Sequence, residues 1–158
     1  MSATSHVIVE FIGLFLAGLL AGVEFVVRYG VQPALGKLED RSHVLARIAL
    51  VRRMRIVVPA LIVPTVAAAI LTVVLDGNGV GCWFRWAGMA ALIAFLIIAF
   101  AGTVPINIRV FEWDADNPPS NWMAVIRRWE LIDVYRSTAA IVAFALFLSA
   151  AARQLTGS

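Results

Sequence analysis

Residues 86–104 read WAGMAALIAFLIIAFAGTV, nineteen consecutive residues without one charged side chain. A helix needs about twenty mostly apolar residues to cross the hydrocarbon core of a bilayer. This stretch therefore predicts a transmembrane helix. The composition of the whole chain agrees, because 61% of its 158 residues are hydrophobic and only 15% are charged. Soluble domains are instead roughly half apolar and about a quarter charged.

Three further apolar blocks of similar length predict transmembrane helices at 7–27, 56–75 and 134–152. The sequence thus predicts an all-α fold, an integral membrane bundle of four transmembrane helices that forms one domain over residues 1–158. The first block is too long for the apolar part of a signal peptide, so we interpret it as a retained helix.

Two features mark the second block. Pro59 and Pro64 lie inside it and free backbone carbonyls, which predicts a kink that a bundled helix tolerates. Asp76-Gly77-Asn78-Gly79 follows the block and predicts a tight turn before the third helix. The segment from Val44 to Arg55 also has a helical pattern, so the second helix could begin before residue 56.

The basic residues are concentrated on one side of the predicted bundle. The connections on that side carry Arg28, Lys37, Arg41, Arg47, Arg52, Arg53, Arg55, Arg109, Arg127 and Arg128. The opposite side carries only Arg85 and Arg153. The positive-inside rule then predicts cytoplasmic long connections and non-cytoplasmic termini, in a multi-pass protein of the cell membrane. This orientation explains the net charge of +3, so the charge does not indicate a nucleic-acid partner.

Small residues form two rows on the first helix. One row contains Gly13, Ala17 and Ala21, and the other contains Gly18 and Gly22. Such rows let helix backbones approach closely. Packing within the chain is the interpretation we favour, and contact between protomers of a homo-oligomer is the alternative.

Two acidic residues lie inside the first apolar block, where a charge is costly. We place Glu10 near the outer interface, where contact with headgroup water is the simplest explanation. Glu24 lies near the inner interface, and Arg28 follows it by four residues, the order that favours an ion pair. Glu24 is therefore either part of a structural ion pair with Arg28 or a carboxylate that lines a cavity.

Polar residues also accompany the end of the third block and the start of the fourth. Thr103 and Asn107 are one helical turn apart and share a face. Trp129, Asp133 and Arg136 are spaced to form one stripe, in which Asp133 and Arg136 can pair. Acidic residues also suit a helix N-terminus, which by itself could explain Asp133 and its neighbour Glu130.

The predicted topology brings these residues to the membrane face that also receives Glu24 and Arg28. An apolar site with a few convergent polar groups is the usual form of a small-molecule pocket. An interhelical hydrogen-bond network without a ligand is the alternative. Familiar catalytic and metal centres are not indicated, because His6 and His43 are the only histidines and neither belongs to the cluster.

The motifs of the chain resemble those of a known family. Gly22-Val23-Glu24-Phe25 followed by Gln32-Pro33-Ala34-Leu35 resembles the first-helix signature of the anthrone oxygenase-like membrane family, much of which is labelled a domain of unknown function. The second half of that family is similar to this chain at Thr103-Val104-Pro105-Ile106-Asn107, Trp122, Arg127-Arg128-Trp129-Glu130 and Arg136. The order and the four-helix layout match over most of the chain. It departs from the family pattern at Asp133, where many relatives carry a histidine.

The resemblance implies an activity, since members of the family oxidise anthrones to anthraquinones, apparently without a metal or flavin. It implies a small hydrophobic phenolic substrate, molecular oxygen and no cofactor. The chemistry needs a base and an anion-stabilising group. By resemblance, Asp133 or Glu24 is the base, Arg136 and Asn107 stabilise the anion, and Trp129 stacks on a planar substrate. Arg28, Thr103 and Glu130 complete the expected binding set.

Two functions from different classes therefore stand at this point. The first is a cofactor-independent, oxygenase-like membrane protein that acts on a small aromatic molecule such as an anthrone. The second is a non-catalytic membrane protein that binds a lipid-like ligand or belongs to a larger membrane complex. Transport is a weaker third interpretation, since four helices leave little room for alternating access and no inverted repeat is evident.

Overall fold

The computed structural model describes the backbone of residues 3–76 and 78–156 and the side chains of residues 6–75 and 78–156. These residues form four long helices and no strand. Helix α1 runs through Ala3–Val26, a π-helical turn at Val27–Val31 and a last turn at Gln32–Leu35. Helix α2 is Asp40–Asp76. Helix α3 runs through Cys82–Ile98, a second π-helical turn at Ala99–Thr103, and a last α-helical segment at Val104–Phe111. Helix α4 is Trp122–Thr156.

The predicted four-helix membrane bundle is confirmed. All four helices are long and apolar enough to cross a membrane, and many of their large apolar side chains face outward, including Phe11, Phe15 and Phe100. Such side chains suit contact with lipid. The chain is accordingly a multi-pass membrane protein, while its single-domain organisation and the sidedness of its termini stay predictions.

The helices are longer than the apolar blocks from which they were predicted. Hydropathy marks only the part of a helix that lies in hydrocarbon, whereas backbone hydrogen bonding continues the helix into the interfacial region. Helix α2 begins at Asp40 and continues through both of its prolines. Of the predicted turn at 76–79, Gly77 lies outside the described residues, and the chain turns at residues 78–81.

The longer helices correct one interpretation made from the sequence. Helix α3 ends at Phe111 and α4 begins at Trp122, so Glu130 and Asp133 lie two turns or more inside α4. The charge preference of a helix N-terminus fades within the first turn and cannot explain them. Both acids need partners of their own.

The helices pack in the cyclic order α2, α1, α4, α3. Helix α3 packs most extensively on α4, and α1 packs on both α2 and α4, whereas α2 and α3 meet over a smaller area. A central apolar cluster contains Leu20, Leu92, Phe95 and Phe147. Below we call the end that carries the 36–39 and 112–121 connections the site end.

The rows of small residues on α1 mainly serve packing within the chain. A side chain on Gly13 would lie 3.3 Å from Ala68 of α2, and one on Gly18 would lie 3.2 Å from Phe144 of α4. Ala17 and Ala21 are buried. Gly22 is the exception, because no atom lies within 4 Å of the position of an added Cβ.

Glu10, at the end opposite the site, is not explained by headgroup water alone. It accepts a hydrogen bond of 3.3 Å from Arg85, whose side chain is buried between the helices. The two residues are 75 positions apart, on helices that are not neighbours in the ring, so their pairing depends on the packing of the whole bundle and could not be read from local spacing. This ion pair fastens the bundle at that end.

Candidate functional site

Two π-helical turns lie at the site end of the bundle, one in α1 and one in α3. Each ends two residues before a proline, Val31 before Pro33 in α1 and Thr103 before Pro105 in α3. Proline lacks the N–H that would bond the carbonyl of the preceding turn, so the hydrogen-bond ladder loosens there. π-Helical turns are rare and are frequent at functional sites. The first lies between the two parts of the α1 motif, residues 22–25 and 32–35, and the second ends at Thr103, where the α3 motif begins.

A cavity of about 200 Å³ lies between the four helices at this level. Its walls are mostly apolar, with α2 contributing the residues from Leu50 to Ile62 that face inward. Six polar or amphipathic side chains also line it, namely Glu24, Arg55, Thr103, Asn107, Trp129 and Arg136. An apolar cavity of roughly 150 Å³ can hold benzene. This cavity therefore has room for an aromatic molecule at least as large as benzene.

Arg136 joins two buried carboxylates at one side of the cavity. Its Nη2 lies 3.0 Å from Glu24 Oε2 and 2.6 Å from Asp133 Oδ1. The second oxygen of Asp133, Oδ2, accepts a hydrogen bond of 2.5 Å from Gln32 Nε2. The pairing of Asp133 with Arg136 predicted from their spacing is confirmed. Glu24 and Arg136 line the cavity, whereas Asp133 lies behind them and is fully buried.

Of the two interpretations of Glu24, the ion pair with Arg28 is wrong, because Glu24 pairs with Arg136 of α4, and Glu24 does line a cavity. The π-helical turn begins at Val27, between the two residues, and changes the angular spacing on which the prediction rested. Arg28 Nη1 instead donates to Ser137 Oγ at 3.1 Å and Thr138 Oγ1 at 3.0 Å. Arg28 thus ties α1 to α4.

Trp129 is fixed by contacts on its edge and its faces. Its Nε1 donates to Asn107 Oδ1 at 3.0 Å, which links α4 to α3. The guanidinium of Arg47 lies 4.7 Å from the centre of the Trp129 ring, and that of Arg136 lies 5.7 Å from it. Cations over an aromatic face are attracted by its π electrons. Trp129 is therefore a rigid, buried wall of the cavity.

Three buried polar atoms at the cavity have no hydrogen-bond partner among the described residues. They are Glu24 Oε2, Thr103 Oγ1 and Arg136 Nε. Glu24 Oε2 is at ion-pair distance from Arg136, but the contact lacks hydrogen-bond geometry. A buried polar group without a hydrogen bond costs about 1–3 kcal/mol. All three residues line the same cavity, so a polar atom inside it could satisfy these groups.

Five of the eight predicted site residues line the cavity and three lie outside its lining. The five are Glu24, Thr103, Asn107, Trp129 and Arg136, and the three are Arg28, Glu130 and Asp133. Glu130 lies 3.6 Å from Arg47 in an ion pair, with 38% of its side chain exposed. These placements describe contacts, and the roles assigned to the residues stay predictions.

Sequence reasoning missed Gln32 and Arg47. Gln32 stands in the quoted first-helix motif, and its amide is the second partner of Asp133. Arg47 is 1% exposed and lies on one face with buried Val44 and Val51. Arg47 lies three residues after Val44 and four before Val51. This helical spacing places Arg47 on the inner face of α2, so its burial could have been predicted from the sequence.

The described residues contain no group of three or more His, Cys, Asp or Glu side chains placed to hold a metal ion. The two carboxylates of the cluster share an arginine, and a guanidinium between them is poorly suited to a cation. The arrangement provides instead a carboxylate, a guanidinium, a hydroxyl and an amide at the wall of an apolar cavity. Such a set can take a proton and stabilise an anion.

Comparison with protein families gives one match. A family model described as anthrone oxygenase matches residues 49–146, more than half of the chain, and this confirms the resemblance seen in the sequence. The match includes Thr103, Asn107, Trp129, Asp133 and Arg136. All of α1, including Glu24, lies before it, so the first-helix resemblance stays a prediction. No curated protein and no solved structure matches the chain.

Proposed function

The chain belongs to the anthrone oxygenase family, and we propose that it oxidises a small, uncharged aromatic molecule of the anthrone class with molecular oxygen inside the membrane. The observation that carries this proposal is that polar atoms of Glu24, Thr103 and Arg136 without a hydrogen bond among the described residues converge on one apolar cavity. An anthrone has an extended apolar surface and a single polar oxygen. It matches a mostly apolar cavity that has a few polar groups in its walls.

The reaction balances without any further reagent. A base removes a proton from the methylene carbon of the anthrone, and the electron pair delocalises onto the carbonyl oxygen. The resulting electron-rich anion reacts with oxygen at that carbon, and loss of water leaves the second carbonyl of the anthraquinone. One anthrone and one dioxygen thus give one anthraquinone and one water. The protein has to provide the base, hold the anion and orient the planar molecule.

Glu24 is the base in this proposal, because it is the carboxylate that lines the cavity. Asp133 is a positioning residue, since its two oxygens bond Arg136 and Gln32 and it lies behind the cavity wall. A base must come within hydrogen-bond reach of the proton that it removes. Glu24 can meet that requirement from its position, and Asp133 would first have to release its partners.

Arg136 and Asn107 stabilise the anion that the base creates. The guanidinium of Arg136 provides a buried positive charge beside the cavity, where the low dielectric strengthens its effect. Asn107 accepts from Trp129 through Oδ1, which leaves its amide nitrogen to donate toward a substrate oxygen. Thr103 can add a hydroxyl hydrogen bond. Trp129 supports one side of the planar molecule.

The test uses the purified protein in lipid nanodiscs with anthrone under ¹⁸O₂. We expect oxygen uptake above that of empty nanodiscs, an equal amount of anthraquinone, and one ¹⁸O atom in each product molecule. Uptake no faster than that of empty nanodiscs would refute the oxygenase proposal. Binding of anthrone without turnover would then favour the non-catalytic, ligand-binding alternative.

A further inference from the structure

The cavity has a side wall that faces outward from the bundle. Phe100, Val104 and Ile108 of α3 line the cavity and are 66%, 38% and 57% exposed. Pro59 of α2 lines it from the other side of the same seam and is also exposed. These residues belong to membrane-crossing helices, so their exposed faces lie against lipid.

The seam between α2 and α3 is also the weakest contact in the ring of helices. Helix α3 packs mainly on α4, and α2 packs mainly on α1. The central core contains residues of all four helices, and Ala69 is the one fully buried member from α2 among the described residues. Opening the seam between α2 and α3 would therefore disturb less buried apolar surface than opening any other pair of neighbours.

The site end of the seam is bridged. Arg55 of α2 lies 5.5 Å from the centre of the Phe111 ring of α3, and both residues line the cavity. Beyond them, Arg41 of α2 donates a 2.5 Å hydrogen bond to Asp116 in the 112–121 connection. These two contacts cross from α2 to the end of α3 and to the following loop. The cavity is thus bridged toward the polar end and lined by lipid-facing residues at its side.

We propose that the cavity opens laterally into the bilayer, between Pro59 of α2 and Phe100 and Val104 of α3, and that its ligand enters from the hydrocarbon. Phe100 and Val104 are eleven and seven residues from Phe111, which places the opening about 10–16 Å along α3 from the Arg55–Phe111 bridge. The identity of the ligand rests on the proposed function, and the lateral opening adds the route by which that ligand enters. The substrates are uncharged polycyclic aromatics dissolved in lipid, and glycosylated or sulfated forms are excluded.

The variant Val104→Trp tests the opening by narrowing it, and Ile97→Trp is its matched control. Ile97 is also an exposed apolar residue of α3, 61% exposed, but it is not part of the cavity wall. Binding is followed by stopped-flow fluorescence in nanodiscs, with anthrone and with anthracene as probes. Val104→Trp should slow association and dissociation alike, by roughly tenfold, within the range over which variants of one site differ. Ile97→Trp should keep both wild-type rates.

A third variant tests the alternative route. Phe111→Ala removes the bridge at the site end, and association should not become faster if entry is lateral. Faster association in Phe111→Ala, together with wild-type rates in Val104→Trp, would overturn the proposal in favour of entry from water. Absence of binding by both probes would overturn it as well. Anthracene has the outline of anthrone but no enolisable group, so its result tests the opening even if anthrone is not oxidised.

Discussion

Replacing Arg136 with alanine should destabilise the protein by about 3–5 kcal/mol, the usual cost of removing one partner from a buried ion pair. The guanidinium lies 3.0 Å from Glu24 Oε2 and 2.6 Å from Asp133 Oδ1, and both acids are at most 1% exposed. Without Arg136, two carboxylates would remain close together in an apolar bundle. A loss of this size is a large part of the roughly 5–15 kcal/mol that stabilises a typical protein.

The assay is equilibrium unfolding in detergent micelles, followed by the helical circular dichroism signal. A matched triple variant removes all three charges together, as Arg136→Met, Glu24→Gln and Asp133→Asn. Buried ion pairs can often be replaced by neutral residues of similar size without net loss. The triple variant should therefore recover most of the stability lost in Arg136→Ala. Wild-type stability in Arg136→Ala, or a triple variant as unstable as the single one, would refute the reasoning.

Two further predictions concern packing and pH. Gly102→Ala places a Cβ 2.8 Å from Ile132 Cγ2 and should cost about 1–3 kcal/mol in the same unfolding assay, whereas Gly22→Ala, with open space, should cost nothing measurable. Equal effects of the two changes would contradict this account of the α3–α4 contact. The hydrogen bond from Arg41 lowers the pKa of Asp116 below its ordinary value of 3.8. The Arg41–Asp116 contact therefore orders the 112–121 connection above pH 3.8. This ordering is lost as the pH falls through the lowered pKa of Asp116. Asp116→Asn should raise hydrogen exchange of this connection at pH 7, and exchange equal to wild type would contradict the prediction.

Much of the fold could be predicted because lipid imposes a simple rule on the sequence. A long apolar run such as 86–104 has one stable solution in a bilayer, a helix with all backbone groups bonded internally. The helix ends could not be read in the same way, since hydropathy falls before the helix stops. Helix α2 begins at Asp40, sixteen residues before its apolar block.

The site was predictable where it depends on local helical spacing and not where it depends on packing between helices. Trp129, Asp133 and Arg136 share an inner face at ordinary helical periodicity, and all three are buried. Glu24 was misassigned to Arg28 because a π-helical turn, invisible to a fixed periodicity, intervenes. Pro33 and Pro105 follow the two π-helical turns and belong to the family motifs. Their positions alone do not predict that the helical register changes before them.

The most direct test of the central claim compares oxygen uptake in three variants with anthrone in nanodiscs. Glu24→Gln removes the proposed base, Asp133→Asn weakens only the support of Arg136, and Glu39→Gln changes an exposed glutamate outside the cavity. If Glu24 takes the proton, Glu24→Gln should lower kcat by about 10²–10⁴-fold. Asp133→Asn should lower kcat less, and Glu39→Gln should leave it unchanged. A folded Glu24→Gln variant with the wild-type kcat would contradict the account.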